Sequence, residues 1–291
     1  MSADVTTRFA PTPSGPLHVG HLLAALRARQ LAERLGGQCL LRIEDIDVIR
    51  SRSGEWVELM FEDLAWLGLV FDGEVMVQSH RFDVYADVLE QLRARGLLYP
   101  CFCTRSEIRA QIAEMGRAPH GSLGVIYPGT CRRLPREIVQ ERLARGDAHT
   151  WRLDMQRAQD LVGCLQWEDM NRGVQRCVPT ECGDVVLARK DMPTSYHLSV
   201  VVDDAAQGVS HVTRGEDLFE ATHIHRVLQA VLGLPVPLYA HHCLLRDNDG
   251  KRLAKRDGAR SLASLRAAGY TPEDVRRSLQ EALSQGGIWK I

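Results

Sequence analysis

An α/β fold on an open parallel sheet is predicted by the order of segments in this chain of 291 residues. Residues 5–10 have strand character, and a helical stretch carrying Leu22, Ala25, Leu26 and Leu31 follows and stops at Gly36 and Gly37. Gln38–Ile43 (QCLLRI) then reads as a buried strand. Strand, helix and strand within about forty residues make a βαβ unit, because parallel neighbours need a crossover of that kind. Ligands of such sheets sit at the carboxyl ends of the strands, which places the residues after Ala10 at a binding edge.

The alternation continues with helices expected over 54–67 and 81–95 and breaks at 98–103 (LYPCFC). Residues 104–183 read as an inserted region, with Gly/Pro-rich turns around 116–129, a helix over 136–145 and an alternating segment at 149–153. Strand character returns at 184–189 (DVVLAR) and 195–203 (SYHLSVVVD), followed by a helix over 221–232 and a polar, basic loop at 246–260. No internal repeat and no low-complexity segment interrupts this order.

Composition narrows the class. Hydrophobic residues make up 45% and charged residues 25%, which excludes a disordered or fibrous chain and suits one to two globular domains. No run of eighteen apolar residues occurs, and the first twenty residues lack a signal peptide, so a cytoplasmic protein with no membrane contact is expected. In that reducing setting the 8 cysteines are expected as thiols or metal ligands. A net charge of −1 argues against a general polyanion binder. Two zones are locally basic: 101–150, with eight Arg/Lys against five Asp/Glu, and 246–277, with nine against five. Either a phosphate-contacting surface or a solvated charged face fits them.

Chemistry concentrates in RFAPTPSGPLHVGH, residues 8–21. Pro11, Pro13, Gly15 and Pro16 stiffen the turn ahead of His18 and His21, which stand one helical turn apart. Two imidazoles beside the N–H groups of a helix start suit a triphosphate that gains charge during attack at its α-phosphorus. A pair of surface histidines near a cap fits the same spacing. In the inserted region Cys101, Cys103, Tyr127 and Cys131 offer three thiolates and an oxygen, the donor set of a closed zinc site, or else a group of buried free thiols. Cys39, Cys164 and Cys243 are expected as buried free thiols, and Cys177 and Cys182 have no evident partner.

These motifs together resemble a family. HVGH resembles the HIGH signature of class I aminoacyl-tRNA synthetases, and the whole of residues 8–21 resembles the glutamyl member of that class. Arg42-Ile43-Glu44-Asp45-Ile46-Asp47 with Arg50 matches a second family block, and 213–218 (TRGEDL) a third. The resemblance runs from Arg8 to about Gly258. It implies a Rossmann-like doubly wound parallel sheet with a zinc-binding insert and a short helical C-terminal part. The corresponding division is a catalytic domain from 1–98 and 184–250, an insert at 99–183, and a loop with short helical region at 251–291.

The implied activity is ATP-dependent activation of glutamate to glutamyl-adenylate, with Mg²⁺, and transfer of the acyl group to RNA. By resemblance His18, Gly20 and His21 contact ATP, with the two histidines catalytic. Glutamate binding falls to Arg8, Ala10, Thr12, Glu44, Tyr196 and Arg214, with the arginines on carboxylates and Glu44 on the ammonium. One methylene separates glutamate from aspartate, worth only about 1 to 3 kcal/mol in an apolar pocket, so charged partners at both ends are needed. The segment Lys251-Arg252-Leu253-Ala254-Lys255-Arg256 lies where the family has its KMSKS loop, with Lys255 as the catalytic, ATP-contacting lysine. Arg252 and Ala254 depart from the pattern; the cation is kept and the hydroxyl lost. The resemblance also implies structural zinc on Cys101, Cys103, Tyr127 and Cys131.

Past Lys255 only 36 residues follow, too few for the family's anticodon-reading domain. The short branch this resembles, the glutamyl-queuosine tRNA(Asp) synthetases, joins glutamate to the queuosine base in the anticodon stem-loop of tRNA(Asp). A monomer acting on that RNA is the expectation. The alternative is glutamylation of tRNA(Glu) by a minimal enzyme. A small-molecule nucleotidylyltransferase shares HxGH but has no place for the second and third blocks, and a catalytically dead RNA-binding protein would not need both histidines, Glu44, Arg214 and Lys255.

Overall fold

A computed structural model describes residues 5–51, 54–114, 120–121, 124–247, 253 and 260–289. The chain starts with β1 (Thr6–Phe9), α1 (Val19–Arg34), β2 (Gln38–Ile43), α2 (Glu55–Trp66) and β3 (Asp72–Val77), and β1, β2 and β3 pair in parallel. α1 forms because Leu22, Ala25, Ala28 and Ala32 line one buried side at helical spacing. It must end where it does: a Cβ on Gly37 would stand 2.1 Å from the Val5 carbonyl oxygen, so only glycine lets the chain turn back into β2.

After α3 (Phe82–Ala94) the chain enters β4 (Leu98–Cys101), α4 (Arg105–Glu114), the short hairpin β5 (His120–Gly121) and β6 (Gly124–Val125), and α5 (Arg136–Ala144). β7 (Thr150–Leu153), α6 (Met155–Val162), β8 (Gln166–Asp169), β9 (Gly173–Arg176) and β10 (Val186–Ala188) follow. β4, β7 and β10 form an antiparallel sheet, whereas β8 and β9 extend another sheet whose core is the parallel pair β11 (His211–Gly215) and β12 (Leu238–His242). The break at LYPCFC is therefore a change from parallel to antiparallel pairing.

The two parallel sheets meet along β1 and β11. Ser210 ties them at their beginnings, its N–H donating to the Thr6 carbonyl at 3.0 Å while its hydroxyl accepts from the Thr6 N–H at 2.9 Å. Strand order thus runs β3, β2, β1, then β11, β12. The order reverses direction at that junction, which is the switch point where doubly wound sheets open a ligand crevice.

Residues 195–203 are not a strand. They open α7 (Tyr196–Ala206), in which Leu198 to Asp204 are all buried. A helix enclosed on every side loses its polar face, and the β-branched run Val200–Val202 then mimics a buried strand. α8 (Ala221–Leu232) packs beside it, and the chain closes with α9 (Leu262–Ala267) and α10 (Pro272–Ser284). Two large apolar clusters form the core, one around Leu22, Ile43, Leu64 and Leu279, the other around Tyr85, Leu198, Val212 and Ile224. Among the described residues no helix is long and apolar enough to cross a membrane.

Candidate active site

A cavity of about 590 Å³ opens at the β1–β11 junction. Arg8, Ala10, Thr12, Glu44, Tyr196 and Arg214 line it, and so do His18, Gly20 and His21. Residues more than two hundred positions apart are thus brought to one volume. Lys251, Arg252, Ala254, Lys255 and Arg256 lie outside the described residues. Leu253 of the same loop lines the cavity, and its N–H donates to the Leu245 carbonyl at 3.0 Å.

The two histidines form one group in the cavity lining. His18 is the N-cap of α1 in extended conformation: its Nδ1 accepts from the Gly20 N–H at 3.0 Å, and its own N–H donates to His21 Nδ1 at 3.0 Å. This reciprocal cap brings the ring centroids within 3.9 Å. Gly20 has a reason here that spacing alone does not reveal: a Cβ would meet His18 Cε1 at 2.8 Å, so any larger residue pushes the imidazole out of its capping position. The Leu262 N–H donates to the Leu17 carbonyl at 2.8 Å, anchoring the far end of the basic loop beside the histidine turn.

The charges in and behind the lining are arranged in two ways. Arg8 is held by Asp204, donating from Nε at 2.8 Å and from Nη2 at 3.3 Å, and also donates to the Thr213 carbonyl. Arg42, fully buried, bridges Asp204 at 2.7 Å and Glu44 at 3.1 Å. Burial pushes the Asp204 carboxyl up, but the Arg8 and Arg42 guanidiniums overcome it and hold the group below the usual carboxylate range. Burial also raises Glu44, against the pull of Arg42 and Arg8. Asp204 and the bridging role of Arg42 follow from no motif; the signal was the acidic pair Asp203-Asp204 in an apolar run, which a soluble helix rarely buries without partners.

Arg214 is different. Its Nε donates to His241 Nε2 at 3.1 Å, Nη1 to His225 Nδ1 at 3.0 Å and to the Tyr196 hydroxyl at 3.4 Å, and Nη2 to Thr222 Oγ1 at 2.6 Å. Among the described residues no carboxylate lies within 4.0 Å of it. Three guanidiniums, Arg8, Arg42 and Arg214, therefore stand with two carboxylates, Asp204 and Glu44. Arg8 and Arg42 thus touch carboxylates directly, whereas among the described residues Arg214 touches only uncharged acceptors and lines the cavity, where an anionic ligand can meet it.

The cysteine group lies in the inserted region at the end of β4. Sγ atoms of Cys101, Cys103 and Cys131 all lie within 4.8 Å of one another, with Cys103 to Cys131 at 3.4 Å and Cys103 to the Tyr127 hydroxyl at 3.6 Å. The neighbouring Cys131 thiol, and then the Tyr127 hydroxyl, favour the Cys101 thiolate and pull this thiol below its ordinary value against the effect of burial. Arg152 stacks on the Tyr127 ring at 4.0 Å. The donor set and its compactness fit one tetrahedral metal ion. Cys39 is buried as expected, but Cys164 and Cys243 are exposed, Cys243 lining the cavity wall. Burial pushes Cys177 and Cys182 up to about 12, consistent with inert thiols.

Residues 4–283 match the family model for the class I tRNA synthetase (E and Q) catalytic domain. The chain is 51% identical over 276 residues to a glutamyl-Q tRNA(Asp) synthetase of Rhodobacter capsulatus, covering 93% of this chain and 98% of that relative. A relative of the same name from Symbiobacterium thermophilum is 46% identical, covering 92% and 83%. In structure it is similar to a glutamate tRNA ligase of Elizabethkingia meningosepticum, solved in complex with its amino acid, with TM-score 0.76 and 30% identity. It covers 93% of this chain and 59% of that one, so the chain spans less than two thirds of that ligase. The chain belongs to the class I tRNA synthetase family of the glutamyl and glutaminyl type, and is a ligase. Enzymes of that class use ATP.

Proposed function

We propose that this ligase activates glutamate with ATP and transfers it to the queuosine base in the anticodon stem-loop of tRNA(Asp). The carrying observation is that one cavity at the sheet junction is lined both by His18, Gly20 and His21 and by Arg8, Glu44, Tyr196 and Arg214. The names of the relatives that match nearly end to end support the RNA half of this reading.

In this scheme Arg214 takes one glutamate carboxylate and Arg8, steadied by Asp204, meets the other. Glu44 receives the ammonium, and Ala10 and Thr12 border the substrate. The attacking carboxylate oxygen bonds the α-phosphorus of ATP, and the bond to the departing pyrophosphate breaks. His18, His21 and Lys255 neutralise the phosphate charge, with Mg²⁺ when bound adding to that neutralisation. Positioning and charge stabilisation supply the acceleration, with no covalent intermediate on the protein. A shorter dicarboxylate cannot reach both ends, and the arginine left without its partner is the source of discrimination.

Zinc on Cys101, Cys103, Tyr127 and Cys131 belongs to this proposal as a structural ion. So do the division into a catalytic part (1–98 and 184–250), an insert (99–183) and a terminal part (251–291), a monomeric state and a cytoplasmic setting. Labelled-glutamate transfer to purified tRNA(Asp), with and without queuosine, tests the activity. Acceptance by the queuosine-containing RNA alone is expected; equal labelling of queuosine-free RNA, or charging of tRNA(Glu) in its place, overturns it.

A further inference from the structure

One chain of hydrogen bonds running behind Arg214 is not accounted for by any motif. Asp169, at the end of β8, is wholly buried and meets His241 Nδ1 at 2.7 Å. His241 Nε2 receives the Arg214 Nε–H, and on the other side Arg214 Nη1 meets His225 Nδ1, whose Nε2 stands 3.2 Å from His197 Nδ1. The proton positions along this chain follow from its ends. A guanidinium only donates, so both nitrogens facing it must be lone pairs. His241 therefore carries its proton on Nδ1 and gives it to Asp169; His225 carries its proton on Nε2 and gives it to His197.

We infer that Asp169, His241, His225 and His197 form a positioning relay that locks two imidazoles in the accepting tautomer, so that Arg214 is held by uncharged groups and keeps its full charge for the substrate carboxylate. This rests on the assignment of Arg214 to glutamate. The design contrasts with Arg8, which is held just as firmly but by the carboxylate of Asp204. Four acceptors meet the five N–H groups of Arg214 among the described residues, leaving one donor of the fork beside the cavity it lines. Burial and then Arg214 itself lower His241 to about 4 and push His225 well below its ordinary value, as a neutral cradle requires.

The relay predicts opposite outcomes from substitutions of similar size. His241→Gln keeps an acceptor at the Nε2 position, whereas His241→Leu leaves the Arg214 Nε–H unmet. Asp169→Asn offers an amide to His241 Nδ1, which turns the ring to the tautomer whose Nε2–H opposes Arg214. Glutamate affinity by calorimetry and KM for glutamate and ATP in transfer to queuosine-containing tRNA(Asp) are the readouts, on proteins with matched near-ultraviolet dichroism. The glutamate KM and Kd are expected to rise about tenfold or more in His241→Leu and Asp169→Asn, since a buried donor is left unsatisfied. His241→Gln is expected to stay within about threefold of the parent, and ATP KM to change little in all three.

Arg214→Lys separates the two levels of the argument. If it leaves glutamate affinity unchanged, the assignment of Arg214 fails. If it abolishes binding while His241→Leu and Asp169→Asn bind as the parent does, the relay fails alone. A fall in kcat with glutamate KM unchanged, or equal loss in His241→Gln and His241→Leu, also overturns the relay, because either marks a structural role only. Should Asp169→Asn not fold, the His241 pair decides.

Discussion

The cleft and the cysteine group both gather ionisable side chains below the surface, and they treat them oppositely. Around Cys101, Cys103 and Cys131 the Sγ atoms lie within 4.8 Å of one another, and Cys103 meets Cys131 at 3.4 Å and the Tyr127 hydroxyl at 3.6 Å, a spacing that suits a single ion. In the cleft Arg214 is ringed by neutral acceptors and opens on a cavity of about 590 Å³. One centre closes on itself, as a structural ion site requires; the other holds a guanidinium on uncharged acceptors beside open space, as the proposed binding of a carboxylate requires. A protein can hold such a charge only where its donors are met by fixed acceptors, here His241, His225, Tyr196 and Thr222.

The largest effect is expected at the closed centre. Fresh protein should carry one zinc per chain, and chelation should collapse the insert, because binding at such a site is worth roughly 10 kcal/mol. Metal analysis with a thermal melt checks this, and a melt indifferent to chelator breaks the contrast. Next comes Asp204→Asn, which leaves Arg8 and Arg42 without their shared counter-ion; a loss of about 3 to 5 kcal/mol in denaturant unfolding is expected. Arg214→Gln should reverse that signature. Glutamate binding by calorimetry should weaken about a hundredfold, with a smaller change in melting temperature than Asp204→Asn gives, because neutral acceptors and not a carboxylate lose their partner.

His21→Ala separates the proposed phosphate role from the proposed glutamate role in the cleft. Single-turnover adenylate formation should slow about a hundredfold, with glutamate affinity within about threefold of the parent. A normal rate would remove His21 from the phosphate end. The smallest effect concerns Asp63, buried on α2 with neither oxygen hydrogen-bonded and Arg266 at 3.7 Å. Burial raises this carboxyl to about 6 in the folded chain, above its unfolded value, so the native state binds the extra proton and stability falls as pH rises from 4 towards 7. Asp63→Asn should therefore be about 1 to 3 kcal/mol more stable than the parent at pH 7, with the gain fading at pH 4. A pH-independent difference counts against it.

Much of the site was legible beforehand because its residues sit in short blocks: Arg8 through His21, Arg42 through Asp47, and Thr213 through Leu218 each carry their chemistry in local spacing. Helix α1 and strands β1 and β2 were equally legible, since an amphipathic stripe and a buried run have distinct periods. Helix α7 was not. Its enclosure erases the polar face that would mark it, so Tyr196 came from a helix start where a strand was expected.

Sequence by itself determined which residue types are present and which stand within one turn of each other, the capping histidines and the paired Cys101 and Cys103 above all. Tertiary structure alone decided how each charge is matched: Asp204 reaches Arg8 across 196 positions, and Asp169 reaches His241 across 72. Local spacing is covalent geometry, whereas the electrostatic state of a buried group depends on whatever the fold places within about 4 Å of it.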